Sequence, residues 1–184
     1  MSGAAVAHDV AHPRHEVLRV AASGLRLIVD YEVGAGEPAR ALRQAFDRDR
    51  NGTLDPGEQQ GLSEHLARTA TLRTRLLVDG AEVPLQRELV RPEKADLPAA
   101  SNALLAVRVE LSAAWPEKKK KNFFDHFLNT SRQLEVHDED ETGHVPISVD
   151  CDRCTVTAAS SGLPDGPLVR GANTPLLLHV RLDP

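Results

Sequence analysis

Apolar residues along this chain recur mostly at every second position. Leu25, Leu27, Val29, Tyr31 and Val33 alternate with largely polar neighbours, the pattern of a half-buried strand. Leu72, Thr74, Leu76 and Val78 repeat it, and Asp79-Gly80 then offers a two-residue hairpin turn into Val83 and Leu85. Leu105, Val107, Val109 and Leu111 predict a further strand. Leu134 and Val136, with Val145, Ile147 and Val149, predict the two arms of one hairpin around an acidic tip at residues 138–143. Leu176, Leu178, Val180 and Leu182 predict the last strand. Strands of this length, separated by turn signals and without alternating helices, predict a mainly β (α+β) fold organised as an antiparallel β-sandwich. Residues 91–100 and 160–175 are rich in Pro, Gly and Ala and read as surface loops. Phe123, Phe124, Phe127 and Leu128 suit a short helix over residues 122–130.

One stretch breaks the period of two. Pro38 suits the first turn of a helix, and Leu42, Ala45 and Phe46 form an apolar stripe at helical spacing; further on, Leu62 and Leu66 share a face at i, i+4. Between these patterns lies Asp47-Arg-Asp-Arg-Asn-Gly-Thr-Leu-Asp-Pro-Gly-Glu58, a complete EF-hand calcium loop. Asp47, Asp49 and Asn51 offer side-chain oxygens at alternate positions, and Gly52 takes the sharp turn. Thr53 offers its carbonyl, Asp55 stands where a ligand usually acts through water, and Glu58 closes the site with two oxygens. Ca²⁺ is a hard cation that takes about 6–8 oxygens, so this donor set suits it. Asp55 is also a good N-cap, Pro56 fits the first helical position, and Glu58 falls at the capping-box position. The competing reading is an acidic turn that binds nothing; the filled ligand positions and both flanking helices favour calcium.

The helix–loop–helix therefore reads as an EF-hand insertion over residues 36–71 in a single β domain spanning 15–184, behind a flexible tail at 1–14. Leu54 occupies the loop position that, in paired EF-hands, bridges to a second loop. No second complete loop is present, so Leu54 and the apolar helix faces need another cover. The β scaffold, a second copy in a homodimer or a protein partner would each supply one.

The chain has 184 residues and a formal net charge of −5, part of it from the loop itself. This gives no reason to expect nucleic acid, and the 3% aromatic content argues against stacking surfaces for bases or sugars. No apolar run approaches the ~20 residues that span a bilayer, so no direct membrane insertion is expected. Ala5-Val6-Ala7 before His8 looks like the small-residue end of a signal peptide, although no charged and apolar segments precede it.

Other clusters carry two readings each. Asp138, Asp140, Thr142, Gly143 and Val145 echo the first half of a calcium loop. Val149 stands where the closing acid belongs, so a solvated turn is the better reading than a weak second site. His8, His12 and His15 are candidate ligands for Ni²⁺, Co²⁺, Cu²⁺ or Zn²⁺, or simply histidines of a frayed tail. Cys151-Asp-Arg-Cys154 is a lone CxxC with no role, a disulfide or a metal contact open to it. Residues three apart in a strand face opposite ways, so pairing needs a turn there. Lys118–Lys121, beside Trp115 and Pro116, reads as a solvated run rather than a lipid-binding patch. There is no nucleophile elbow, HExxH, phosphate-binding glycine loop or assignable carboxylate pair, and His65 and His179 stand alone. An enzyme is not expected.

The order of parts resembles a known group. A His-containing N-terminus, a strand over residues 25–33, the single EF-hand of residues 46–58 and the strand–turn Leu77-Val-Asp-Gly-Ala-Glu-Val-Pro-Leu85 are similar to extracytoplasmic domains of bacterial secreted and membrane proteins. Some of those are fused to nickel/cobalt-exporter-type transporters. The resemblance covers residues 15–149 and implies a periplasmic or cell-surface location, a calcium-stabilised helical insertion in a β-sandwich and a transport-associated role. Cys151 and Cys154 lie outside it, and the His-Pro start of the group is echoed only by His12-Pro-Arg-His15. The expected function is thus non-enzymatic calcium binding by one EF-hand, structural or regulatory, in an extracytoplasmic domain. The alternative is a histidine-dependent Ni/Co-handling module serving a transporter.

Overall fold

The computed structural model describes residues 14–72, 74–117, 131–138, 145–158, 168–170 and 175–182. The chain opens with a hairpin of β1 (Arg14–Ala21) and β2 (Gly24–Val33), followed by helices α1 (Glu37–Phe46) and α2 (Pro56–Thr71). Then come β3 (Thr74–Val78), β4 (Ala81–Val83), β5 (Gln86–Glu93) and β6 (Leu105–Ala113). The last described strands are β7 (Ser131–Asp138), β8 (Val145–Cys151), β9 (Cys154–Ala158), β10 (Leu168–Arg170) and β11 (Leu176–Leu182).

These strands make two sheets, ordered β10-β8-β1-β2-β6-β5 and β4-β3-β7-β11-β9. The fold is mainly β, as its two-residue period predicts. In β2 the odd positions Leu25, Leu27, Val29, Tyr31 and Val33 are buried; β6 does the same from Leu105 to Ala113 and lies in register, Val29 opposite Val109. From the second sheet, Leu76, Val78, Leu134, Val136, Leu176, Leu178 and Val180 join the same apolar cluster, together with Leu62 and Leu66 of α2. The Asp79-Gly80 turn is present as expected, with both residues at positive φ and Val78 opposite Ala81. Two positive φ values match the right-handed strand twist and favour this dipeptide.

Three expectations need correcting. First, the pairing is not wholly antiparallel: β1 runs parallel to β8, while every other pairing among the described strands is antiparallel. Second, β7 and β8 are not arms of one hairpin. β7 pairs with β3 and β11 in one sheet, and β8 pairs with β1 and β10 in the other. Alternation shows which side of each strand is buried but not which neighbour it takes. Third, β5 and β10 extend into stretches read as loops, and Leu72 is an exposed helix cap rather than the start of β3.

β1 escaped the sequence pattern for a physical reason. Its inward positions carry Glu16, Leu18 and Val20, so a carboxylate interrupts the apolar period. Glu16 is fully buried and forms an ion pair with Arg14 at 2.9 Å, and Arg14 also donates to the Thr74 hydroxyl, tying β1 to the first residue of β3. Burying such a charge is costly unless it is paired, so Arg14 and Glu16 belong together.

Candidate metal centre

The helix faces set the position of the acidic loop. On α1, Ala39 and Arg43 are buried while Leu42 and Phe46 pack on the core; Ala45, expected in the stripe, is exposed. On α2, Leu62, Leu66, Ala67 and Ala70 are buried. The helices meet where the Phe46 ring lies 5.5 Å from that of His65. α2 starts with a complete capping box: the Asp55 carboxylate accepts from Glu58 N at 2.9 Å, and Glu58 Oε2 accepts from Asp55 N at 3.0 Å. Such a cap contributes about 1 kcal/mol and fixes where the helix begins.

Between the helices the chain folds inward on its own amides. Asp47 accepts from Asn51 N at 3.1 Å and Gly52 N at 3.0 Å, and Asp49 accepts from the Asn51 side-chain amide at 2.7 Å. Asn51 Oδ1 receives the Thr53 amide at 2.8 Å and its hydroxyl at 2.6 Å. Glu58 Oε1 accepts from Arg48 N at 2.6 Å. The turn passes through Gly52 at φ 85°, a conformation that costs an L side chain about 1–2 kcal/mol. As a result, one carboxylate oxygen from each of Asp47, Asp49 and Glu58 lies within 4.8 Å of the others. Three carboxylates so close repel one another, and a cation among them relieves that repulsion. Asn51 donates to two of the three, Asp47 and Asp49, Thr53 donates in turn to Asn51, and Asp55 serves as the helix cap.

The cover on this motif comes from the same chain. Leu54 is buried in the core, and the backbone two residues before it meets the connection between β5 and β6. Within that connection Ala99 N donates to Gly52 O at 3.0 Å, and Asn102 O accepts from Gly36 N, just before α1, at 2.8 Å. Arg43 is fully buried and donates to the carbonyls of Lys94 (2.9 Å), Ser101 (3.1 Å), Ala103 (2.7 Å) and Leu104 (3.2 Å). Burial pushes the Arg43 guanidinium below its ordinary pKa, and Asp96 works in the opposite direction. The sequence reading missed Arg43. The available signal was its place on the apolar face of α1, four residues after Ala39 and three before Phe46.

No family model, curated protein or solved structure matches the chain.

The remaining candidates fall elsewhere. His15 lies in β1, 3.4 Å from the Ser148 hydroxyl, while His8 and His12 lie outside the described residues. Residues 118–130 and 139–144 are also outside them, so the lysine run, the Phe-rich segment and most of the second acidic tip are not described. His179 is exposed, opposite Gln133 and Thr157. A surface hollow of about 890 Å³ is lined by Trp115, Val83 and Cys151 among others and shares no residue with the acidic loop. A cation held by loop oxygens needs no such cavity.

Cys151 and Cys154 form a disulfide with Cα atoms 5.6 Å apart. The turn that pairing requires is supplied by Asp152 and Arg153, the latter at φ 55°, where the chain leaves β8 in one sheet and enters β9 in the other. Closing so short a loop stabilises by about 2 kcal/mol on the chain-entropy account. Cys151→Ser with Cys154→Ser should lower the unfolding free energy by about that amount, read from urea unfolding of the variant and the oxidised wild type.

Proposed function

We propose that this is a non-enzymatic calcium-binding protein: a β-sandwich of the exported kind carrying a single EF-hand, with calcium in a structural role. The observation that carries the reading is the convergence of the Asp47, Asp49 and Glu58 carboxylates to within 4.8 Å in a loop that joins two helices. The donors are hard oxygens, with the Asn51 amide beside them and the Thr53 carbonyl at the next alternate position, which suits Ca²⁺ better than thiophilic or imidazole-seeking metals.

A structural role is supported by what already covers the helices. Leu54, Leu62 and Leu66 are buried in the β core, so a sensor-type opening would have to pull them out. The extracytoplasmic assignment draws support from the Cys151–Cys154 disulfide, since disulfides persist in oxidising compartments, and from the resemblance of residues 15–149 to exported bacterial domains. Extracellular modules bind calcium with Kd near 10⁻⁴–10⁻³ M, and that range is expected here.

Isothermal calorimetry tests the proposal. One Ca²⁺ should bind per chain, with Mg²⁺ much weaker because it demands a tighter octahedral shell. Absence of heat at millimolar Ca²⁺ would remove the reading. Gly52→Ala should lower the unfolding free energy by about 1–2 kcal/mol, read from urea unfolding, because alanine resists the positive φ that this turn requires.

A further inference from the structure

A lone helix–loop–helix leaves the question of what stands in for its missing partner loop. The described structure contains a segment that meets the motif at three separate points. Residues 94–104, joining edge strand β5 to β6, contact the residue before α1 through Asn102 O and Gly36 N at 2.8 Å. They contact the middle of α1 through the four carbonyls gathered by Arg43. They contact the loop through Ala99 N and Gly52 O at 3.0 Å. Ala95 and Ala99 are buried, so the segment is packed there as well as hydrogen-bonded.

Two of these contacts lie one bond away from a metal-ligating residue. Asp47 receives the Gly52 N–H on its carboxylate, and the carbonyl of the same Gly52 receives Ala99 N–H. Asp47 also donates its own N–H to the Arg43 carbonyl at 3.1 Å, while the Arg43 guanidinium holds the segment. A cation that fixes Asp47 therefore fixes Gly52 and the end of α1, and both of these present partners to residues 94–104. Loss of the cation leaves Asp47, Asp49 and Glu58 to repel one another, and the strain is relieved by movement of those same partners.

We infer that residues 94–104 act in cis as the partner of the calcium loop, so that calcium occupancy and closure of this segment are coupled. This rests on the calcium reading above. It assigns calcium the regulation of the β5–β6 connection and makes a second copy of the chain unnecessary for binding. By linkage, a change that loosens residues 94–104 weakens calcium binding by the same factor that calcium tightens them.

Amide hydrogen exchange of the full chain, run beside calorimetry, tests the coupling. At calcium ten times its Kd, exchange across residues 94–104 should slow about tenfold, the factor by which occupancy disfavours the open form. The β1–β2 hairpin should respond less. In Arg43→Met, calcium heat should persist with weakened affinity, and the calcium response of residues 94–104 should shrink. If that variant does not fold, Arg43→Lys is read instead, since it keeps the charge and loses the planar fork. Calcium heat in the wild type with unchanged exchange at 94–104 would overturn the coupling and leave the calcium reading standing. Absence of calcium heat would overturn both.

Discussion

Glu58→Gln is expected to remove nearly all the stabilisation that calcium confers, while costing the calcium-free protein about 1 kcal/mol through one lost hydrogen bond. In the wild type, calcium at one hundred times its Kd should add about 2.7 kcal/mol, since binding to the folded state alone stabilises by mass action. For a chain of this size, that corresponds to a rise of roughly 5–10 °C in melting temperature. Glutamine keeps one side-chain oxygen for the two amides that Glu58 serves, Asp55 N and Arg48 N, so the capping bond at the α2 N-terminus can survive while the other is lost. It cannot supply the bidentate carboxylate that closes the calcium shell. Thermal melts with calcium and with chelator should differ in the wild type and coincide in Glu58→Gln. A variant melt that still rises with calcium would place the ion elsewhere.

Arg43→Met should be the most damaging single change near the site, lowering stability by about 3 kcal/mol or more even without calcium. The guanidinium is wholly buried and satisfies four carbonyls of the β5–β6 connection. Hydrogen bonds from a charged donor are worth about 1.5–3 kcal/mol each, and buried acceptors left without partners cost about 1–3 kcal/mol. Methionine fills part of the stem volume, so the loss reports the polar contacts more than a cavity. Urea unfolding in chelator measures it. A loss below 1 kcal/mol would show that water replaces the guanidinium at those carbonyls.

The two effects separate what the chain discloses locally from what it does not. The helix–acidic turn–helix, the capping box and the Asp79-Gly80 turn are readable because each rests mainly on contacts between residues a few positions apart. The strand faces of β2, β6 and β11 are readable because apolar residues hold every second position, even where Ile28 of β2 is buried on the other face. β1 was hidden by Glu16, a buried charge that pairs with Arg14 two residues away on the same face. The clamp on the loop was hidden more deeply. Arg43 meets carbonyls 51 to 61 positions along the chain, and no local spacing encodes that meeting. Strand partners are non-local in the same way, so the β7 and β8 patterns suggested a hairpin where the chain crosses between sheets. β5 gave almost no signal, because an edge strand guarded by charges, Pro92 and a bulge after Arg87 buries little.

One calcium ion is expected in the loop at residues 47–58. Anomalous diffraction from crystals grown in millimolar calcium tests it directly, by locating the ion. One strong peak is expected at the loop, with oxygens of Asp47, Asp49, Asn51, Thr53 and Glu58 at about 2.3–2.6 Å and a water toward Asp55. A loop without a peak at saturating calcium, or a peak held by other residues, would contradict it.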